Sequence, residues 1–238
     1  MSCAPDKNLW PAPNNFHQTT NSFVVLEPES IISVIEAPTS EIKQAVEDNI
    51  AWQKNNLPVR RQKTSRSSTA VTRIRVLIRS AVFDIDVDTD ERYELTIECS
   101  GDDVSDVTIE AETYYGARHG LETLFQLVFY DSVQYQYLLT CSLHITDHPQ
   151  YQHRGVMLDT ARNFVTVDMI KTLINSMSYS KMNVFHWHIT DSQSFSLYLE
   201  SLPAMSEYGA YSPEHTYSKV ELSYRNYNLE NTKLFKLT

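Results

Sequence analysis

A chain of 238 residues, 42% hydrophobic and 21% charged with 5 Gly and 9 Pro, has a globular composition and can hold one large domain or two smaller ones. Its net charge of −10 argues against a nucleic-acid partner, because binding phosphates requires a basic face. No stretch approaches the roughly 18 apolar residues of a membrane span. The opening residues MSCAPDKNLWPAPNNF have neither the charged start nor the apolar core of a secretion signal, and no Asn-x-Ser/Thr acceptor occurs. The chain therefore reads as soluble, with nothing in it directing export. Cys3, Cys99 and Cys141 have no metal-ligand spacing; they allow at most one internal disulfide, and position alone does not choose the pair.

In chain order, residues 1 to 22 are rich in Pro, Asn and Thr and read as an extended lead-in. From Ser40 to Asn56, the residues Ile42, Ala45, Val46, Asn49 and Ile50 follow helical spacing, with Ser40 as a cap. Lys54 to Ser68 is polar and basic without periodicity, an exposed loop. From Val71 the period becomes two. Ile74, Val76 and Ile78 alternate with arginines; Phe83, Ile85 and Val87 with aspartates; Tyr93, Leu95 and Ile97 with Glu94, Thr96 and Glu98; Val107 and Ile109 continue the pattern. These read as half-buried strands. Six arginines and one lysine lie between Arg60 and Arg79, then twelve acids and one arginine between Asp84 and Glu112. Two readings stand: a basic patch for a polyanion, or opposite charges facing one another on neighbouring strands. Asp84, Asp86 and Asp88 do not make a calcium loop, since Thr89 occupies the glycine position and Leu95 the glutamate position.

Thr113 to Phe129 reads as an amphipathic helix presenting Ala117, Leu121, Leu124, Phe125 and Val128, and a strand follows around Tyr137 to Ile145. Asp147-His148-Pro149 marks a domain boundary. Beyond it, Gly155 to Leu158 is a short apolar run ending at Asp159, Val167 to Tyr179 is helical, and Asn183 to Ile189 is a strand ending at Asp191. That order makes a βαβ unit with parallel strands, whose functional groups gather beyond the C-terminal strand ends. Asp159, Arg162, Asp191 and Ser192 stand there.

Three segments in this order carry a specific resemblance: Glu112 to Leu127 (ETYYGARHGLETLFQL), His153 to Phe164 (HRGVMLDTARNF) and Lys181 to Phe195 (KMNVFHWHITDSQSF). They resemble the family-20 glycoside hydrolases, the eukaryotic β-N-acetylhexosaminidases, over roughly residues 8 to 218, and Leu9-Trp10-Pro11 also fits. The resemblance implies an α/β chain in two parts. Residues 1–150 would form an α+β domain on a mostly antiparallel sheet, and 151–218 the first βα units of a (β/α)8 TIM barrel. Residues 219–238 resemble nothing in the family.

The family removes terminal β-linked N-acetylglucosamine or N-acetylgalactosamine from oligosaccharides and glycoconjugates. The substrate's own acetamido oxygen attacks the anomeric carbon, while a glutamic acid protonates the leaving oxygen and a neighbouring aspartate orients the acetamido group. By resemblance, Arg162 bonds the hydroxyls at carbons 3 and 4 of the terminal sugar, for which its forked donors suit two adjacent oxygens. Asp191 joins a polar network that supports the catalytic acid through a histidine; the plainer alternative is a helix cap. Asp159 is a weaker substrate-binding candidate, or a partner of Arg162. His186 and His188 share one strand face, but no further ligands accompany them, so they read as barrel-lining histidines and no metal or other cofactor is expected.

The Gly-Gly-Asp-Glu-type segment that would hold the catalytic pair, and the histidine partner, are absent; Gly101-Asp102-Asp103 lacks the glutamate and lies in the wrong domain. A whole barrel needs roughly 250 residues, whereas 86 remain from His153. The expectation is a chain truncated before its catalytic pair and inactive alone. The alternative is a non-catalytic product that binds glycans weakly or pairs with a relative. Family members often form homodimers and are secreted or lysosomal, and both properties are expectations here by resemblance only.

Overall fold

A computed structural model describes residues 9–57, 70–101, 103–218 and 236–237. Cys3, residues 58–69, Asp102 and most of the tail after Ser218 lie outside the described residues; of the loop expected from Lys54 to Ser68, the first three residues are helical instead. The chain divides into two compact units. The first is Met1–Asp84 with Asp88–Gln150; the second is Tyr151–Thr238 with Ile85–Val87.

The first unit is built on a six-stranded sheet. In spatial order its strands are β1 (Asn15–Gln18), β9 (Leu143–Asp147), β5 (Tyr93–Ser100), β6 (Val104–Ala111), β4 (Val71–Ile78) and β3 (Ile31–Glu36). Three of its pairings are antiparallel; β6 with β4 and β4 with β3 are parallel. The expected mostly antiparallel sheet is therefore a mixed one. Helix α1 (Ser40–Asn56) crosses between β3 and β4, and such a crossover returns the chain in the same direction. A second, three-stranded antiparallel sheet joins β2 (Phe23–Leu26), β8 (Gln136–Thr140) and β7 (Val128–Asp131). The lead-in of residues 1 to 22 thus contains β1 instead of being merely extended, and β2 begins directly after it.

Alternation along the strands sends Ile74, Val76, Ile78, Leu95, Ile97, Val107 and Ile109 into a core they share with α1 and with α2 (Tyr114–Gln126). Each such side chain gains on the order of 1.5–3 kcal/mol by leaving water. On α1 the buried face is Ile42, Ala45, Val46, Asn49, Ile50 and Gln53, but the cap is Thr39, whose hydroxyl accepts from the Ile42 amide at 3.2 Å. Ser40 is already inside the helix. Helix α2 is buried on all sides, capped by Thr113 and flush against the sheet. At Gly116 a Cβ would lie 2.2 Å from the Arg92 carbonyl oxygen, so only glycine permits that approach. The helix stops at Gln126, and Val128 begins β7 instead of extending the helix to Phe129. Gln126 reaches back to the lead-in, accepting from the Trp10 amide at 2.8 Å and donating to the Trp10 carbonyl at 2.9 Å.

Two further expectations change. Phe83 to Asp88 is not a strand. Aspartate is depleted in strands, and the Phe83 carbonyl accepts from the Tyr115 hydroxyl at 2.9 Å instead of from a neighbouring strand. The single strand expected from Tyr137 to Ile145 is two, β8 and β9, in different sheets. Ser142, at a φ of 55°, breaks it, and only Cys141 and Ser142 separate the two. Cys141 is disulfide-bonded to Cys99 of β5. Of the two readings of the charged stretches, the described residues support facing charges. Arg73 meets Asp106 at 3.4 Å, Arg75 meets Glu36 at 2.6 Å, and Arg79 meets Glu110 at 2.7 Å.

The second unit carries β10 (Gly155–Asp159), α3 (Val167–Tyr179) and β11 (Val184–His188), a parallel βαβ unit, then α4 (Pro203–Gly209). The backbone of β12 (Lys236–Leu237) runs parallel beside β11. Ile170, Ile174 and Met177 of α3 pack on Phe185, with Val156, Leu158 and Trp187 at the margin. Alternation gives the opposite strand face to Gly155, Met157 and Asp159 and to Val184, His186 and His188. Lys181, at a φ of 54°, ends the turn after α3, with the Met182 amide bonded back to the Met177 carbonyl at 3.1 Å. The register of the strand pair is fixed at its start. The Arg154 amide donates to Asn183 Oδ1 at 2.9 Å, Asn183 Nδ2 to the Gln152 carbonyl at 2.7 Å, and Arg154 Nε to the Lys181 carbonyl at 2.9 Å.

Candidate functional site

In parallel register Asp159 stands beside His188, so the loops leaving β10 and β11 start side by side. The Thr160 amide donates to the His188 carbonyl at 3.0 Å, carrying the contact one residue further. Asp159 then folds the first loop: its Oδ1 accepts from the amides of Ala161 at 3.1 Å and Arg162 at 3.0 Å. This is the local turn that an aspartate side chain favours. Asp159 thus holds the backbone of Arg162, whereas the partner of the guanidinium is Asp191.

Asp191 organises the second loop in the same way. Its Oδ1 accepts from the amides of Gln193 at 2.7 Å and Ser194 at 2.8 Å, and its own amide donates to the Ser194 carbonyl at 2.9 Å. The other oxygen, Oδ2, lies 3.4 Å from Arg162 Nε. The amides of Gln193 and Ser194, followed by the Arg162 guanidinium, hold the Asp191 carboxyl below its ordinary range. It therefore carries its negative charge at neutral pH. The Arg162 side chain, 72% exposed, keeps donors facing solvent while one edge is steadied by that charge.

His186 and His188 share a strand face with ring centroids 6.4 Å apart. Among the described residues, no group of three or more His, Cys, Asp or Glu side chains is arranged to hold a metal ion. On the opposite face Trp187 donates from Nε1 to the hydroxyl of Thr160 at 2.8 Å, under the Arg162 loop. Thr160, fully buried, was not singled out by sequence; a hydroxyl–indole bond leaves no periodic trace. Tyr211 and Tyr217 were likewise missed. The Tyr211 hydroxyl donates to the Arg162 carbonyl at 3.0 Å, and Tyr217 grips Val165 of the same loop.

Comparison with known proteins bears on this arrangement. Residues 151–232 match the glycosyl hydrolase family 20 catalytic domain, and residues 9–127 match the family described as beta-acetyl hexosaminidase like. The first match runs past Ser218, where the resemblance read from sequence ended. A chitooligosaccharidolytic beta-N-acetylglucosaminidase of Bombyx mori is 47% identical over 136 residues, covering 57% of this chain and 23% of that protein. Beta-hexosaminidase subunit B1 of Dictyostelium discoideum is 34% identical over 214 residues, covering 88% of this chain and 36% of that protein. The structure of a Flavobacterium johnsoniae chitobiase superposes with a TM-score of 0.73 at 26% identity, covering 99% of this chain and 35% of that one. The chain thus spans about a quarter to a third of these relatives. Two family matches in the expected order, together spanning most of the chain, show that it belongs to glycosyl hydrolase family 20, a family of β-N-acetylhexosaminidases.

Proposed function

We propose that residues 151–218 are the opening βα units of a (β/α)8 barrel, and that their loops bind the terminal N-acetylhexosamine of an oligosaccharide or glycoconjugate. The observation that carries this reading is the exposed Arg162 guanidinium at the C-terminal end of paired parallel strands, 3.4 Å from Asp191. Active sites of such barrels gather at that end. Arg162 bonds the hydroxyls at carbons 3 and 4. Asp191 fixes the edge of the guanidinium and supplies a negative charge to the polar network around the reacting sugar. Asp159 shapes the loop that presents Arg162.

Protonating the leaving oxygen is a separate task. No Gly-Gly-Asp-Glu-type segment occurs in these 238 residues, the adjacent Asp90-Glu91 lying in the first unit, and general acid catalysis is typically worth about 10²–10⁴ in rate. These residues by themselves therefore hold the sugar without hydrolysing its glycosidic bond. The Cys99–Cys141 disulfide supports an oxidising compartment, in keeping with secreted or lysosomal family members.

The test is titration of the purified chain with N-acetylglucosamine, followed by NMR. Arg162→Ala should weaken binding by about tenfold or more, since each lost contact to a hydroxyl costs on the order of 1–3 kcal/mol. Unchanged binding would return Arg162 to the role of a surface-loop arginine. An aryl β-N-acetylglucosaminide should not be cleaved by the 238-residue chain, but should be cleaved once residues 1–218 are joined to the remaining barrel of a relative. Turnover by the chain alone would overturn the separation of binding from acid catalysis. A second reading, pairing with another chain, is favoured by one observation: Met157, in the middle of β10, is 58% exposed. A concentration-dependent mass in solution would support it.

A further inference from the structure

The segment from Tyr211 to Tyr217 returns to the loop that presents Arg162. Tyr217 is fully buried. Its hydroxyl donates to the Val165 carbonyl at 2.6 Å and accepts from the Val165 amide at 3.2 Å. Its ring stacks on Phe164 at 4.8 Å and meets Trp187 edge-on at 4.9 Å. Its backbone pairs with the stretch that follows Asp191: the Tyr217 amide donates to the Ser196 carbonyl at 2.7 Å, and the Tyr198 amide donates to the Tyr217 carbonyl at 2.9 Å. One residue thus touches the Arg162 loop, strand β11 and the Asp191 loop. Tyr211, 65% exposed, adds a hydroxyl bond to the Arg162 carbonyl at 3.0 Å.

A phenylalanine at 217 would fill almost the same volume and keep both ring contacts. What the hydroxyl adds is a pair of hydrogen bonds to the backbone of one residue, Val165, three positions beyond Arg162. Asp159 ties the loop only at its first turn. An arginine this exposed is free to sample many rotamers, so its geometry toward Asp191 depends on how firmly its own backbone is held. We propose that Tyr217, assisted by Tyr211, is a positioning residue: it pins the far end of the loop after β10 and keeps the Arg162 guanidinium beside Asp191. The functional weight of this rests on Arg162 being a sugar-binding residue; the positioning itself is measurable without sugar.

The experiment is NMR on the full chain, reading amide exchange at Val165 and the Nε–Hε signal of Arg162 at mildly acidic pH. Tyr217→Phe should keep the signals of α3 and β11 while the Val165 amide exchanges about tenfold faster, the effect of one lost hydrogen bond. The Arg162 signal should move toward its position in Asp191→Asn. Tyr211→Phe should move it in the same direction by less, and serves alone if Tyr217→Phe does not fold. A lower melting temperature with Val165 and Arg162 unchanged would make Tyr217 a packing residue only and overturn the proposal, as would an Arg162 signal indifferent to both substitutions. Titration with N-acetylglucosamine separates the two readings. If the native chain binds the sugar, Tyr217→Phe should weaken it about fivefold, less than Arg162→Ala. If the native chain binds no sugar while Arg162 still follows Tyr217, positioning stands and the sugar-binding reading falls.

Discussion

Leu95 and Met157 both sit in the middle of a strand, yet the first is fully buried and the second is 58% exposed. The difference belongs to their units. In the first unit the apolar face of the six-stranded sheet is covered by α1 and α2, and its outer side is dressed with paired arginines and acids. In the second, α3 covers one face of β10 and β11. The other face, with Met157 and His186, remains open among the described residues. Among the described residues, one unit covers the apolar face of its sheet with two helices, and the other covers one face of its strand pair with one. Strands of a parallel barrel are covered on both faces, so the open face marks the side on which a barrel would place its interior.

The contrast can be broken most directly by limited proteolysis with mass spectrometry. Cleavage within residues 151–218 should run at least about tenfold ahead of cleavage within 70–101 and 103–148, because local opening governs susceptibility. Equal protection in a monomeric sample would erase the contrast. Next in size, Leu95→Ala should cost about 2–5 kcal/mol in denaturant unfolding, whereas Met157→Ala should change stability by no more than about 0.5 kcal/mol. A large loss at Met157 would mean that its face is covered in solution. Removing the Cys99–Cys141 crosslink, whose partners lie 42 positions apart, should cost the first unit about 2–4 kcal/mol. A reductant should therefore lower only the transition that carries β5 and β9, as followed by amide exchange; loss of both units together would sink the separation.

The smallest expected effect is a pH response of the Asp191 loop. Its folded carboxyl lies below the ordinary value of 3.8, chiefly through the amides of Gln193 and Ser194. The folded state therefore favours the charged form. That contribution is complete above the ordinary value and fades as pH falls toward the lower folded one. The Ser194 amide signal should stay constant from neutral pH down to about pH 4 and shift only below it, and Asp191→Asn should abolish the shift. Titration near or above the ordinary value would show that the amides are not its donors.

Much of this molecule was legible from residue order because its signals are local and periodic. The buried face of α1, the limits of α3, and the strand ending at Asp159 all follow from spacing, and the second strand does too, although it ends at His188, short of Asp191. What escaped is non-local or unpatterned. Strand β3 is an edge strand whose Ile32 and Val34 are each 54% exposed, so it carries no alternation of burial, and the parallel pairing hidden behind it went unread. The aspartates from Asp84 to Asp88 mimicked an alternating strand but form none. At the site, Arg162 and Asp191 were found through a resemblance to whole segments. Their contact, and the tyrosine hydroxyls behind it, depend on chain segments that only folding brings together.

The break at Ser142 has a consequence for how the first unit can move. Only Cys141 and Ser142 separate the last residue of β8 from the first of β9, so the two sheets share a joint with almost no slack. A one-residue slip of β8 against β2 would drag β9 against β5 by the same step and turn Leu143 and Ile145 outward. Neither ladder can misregister alone, and the bond from Cys141 to Cys99 fastens that joint to a third strand. The two sheets should therefore open and close as one cooperative body, with amides of β2 and β9 exchanging through the same event despite belonging to different ladders.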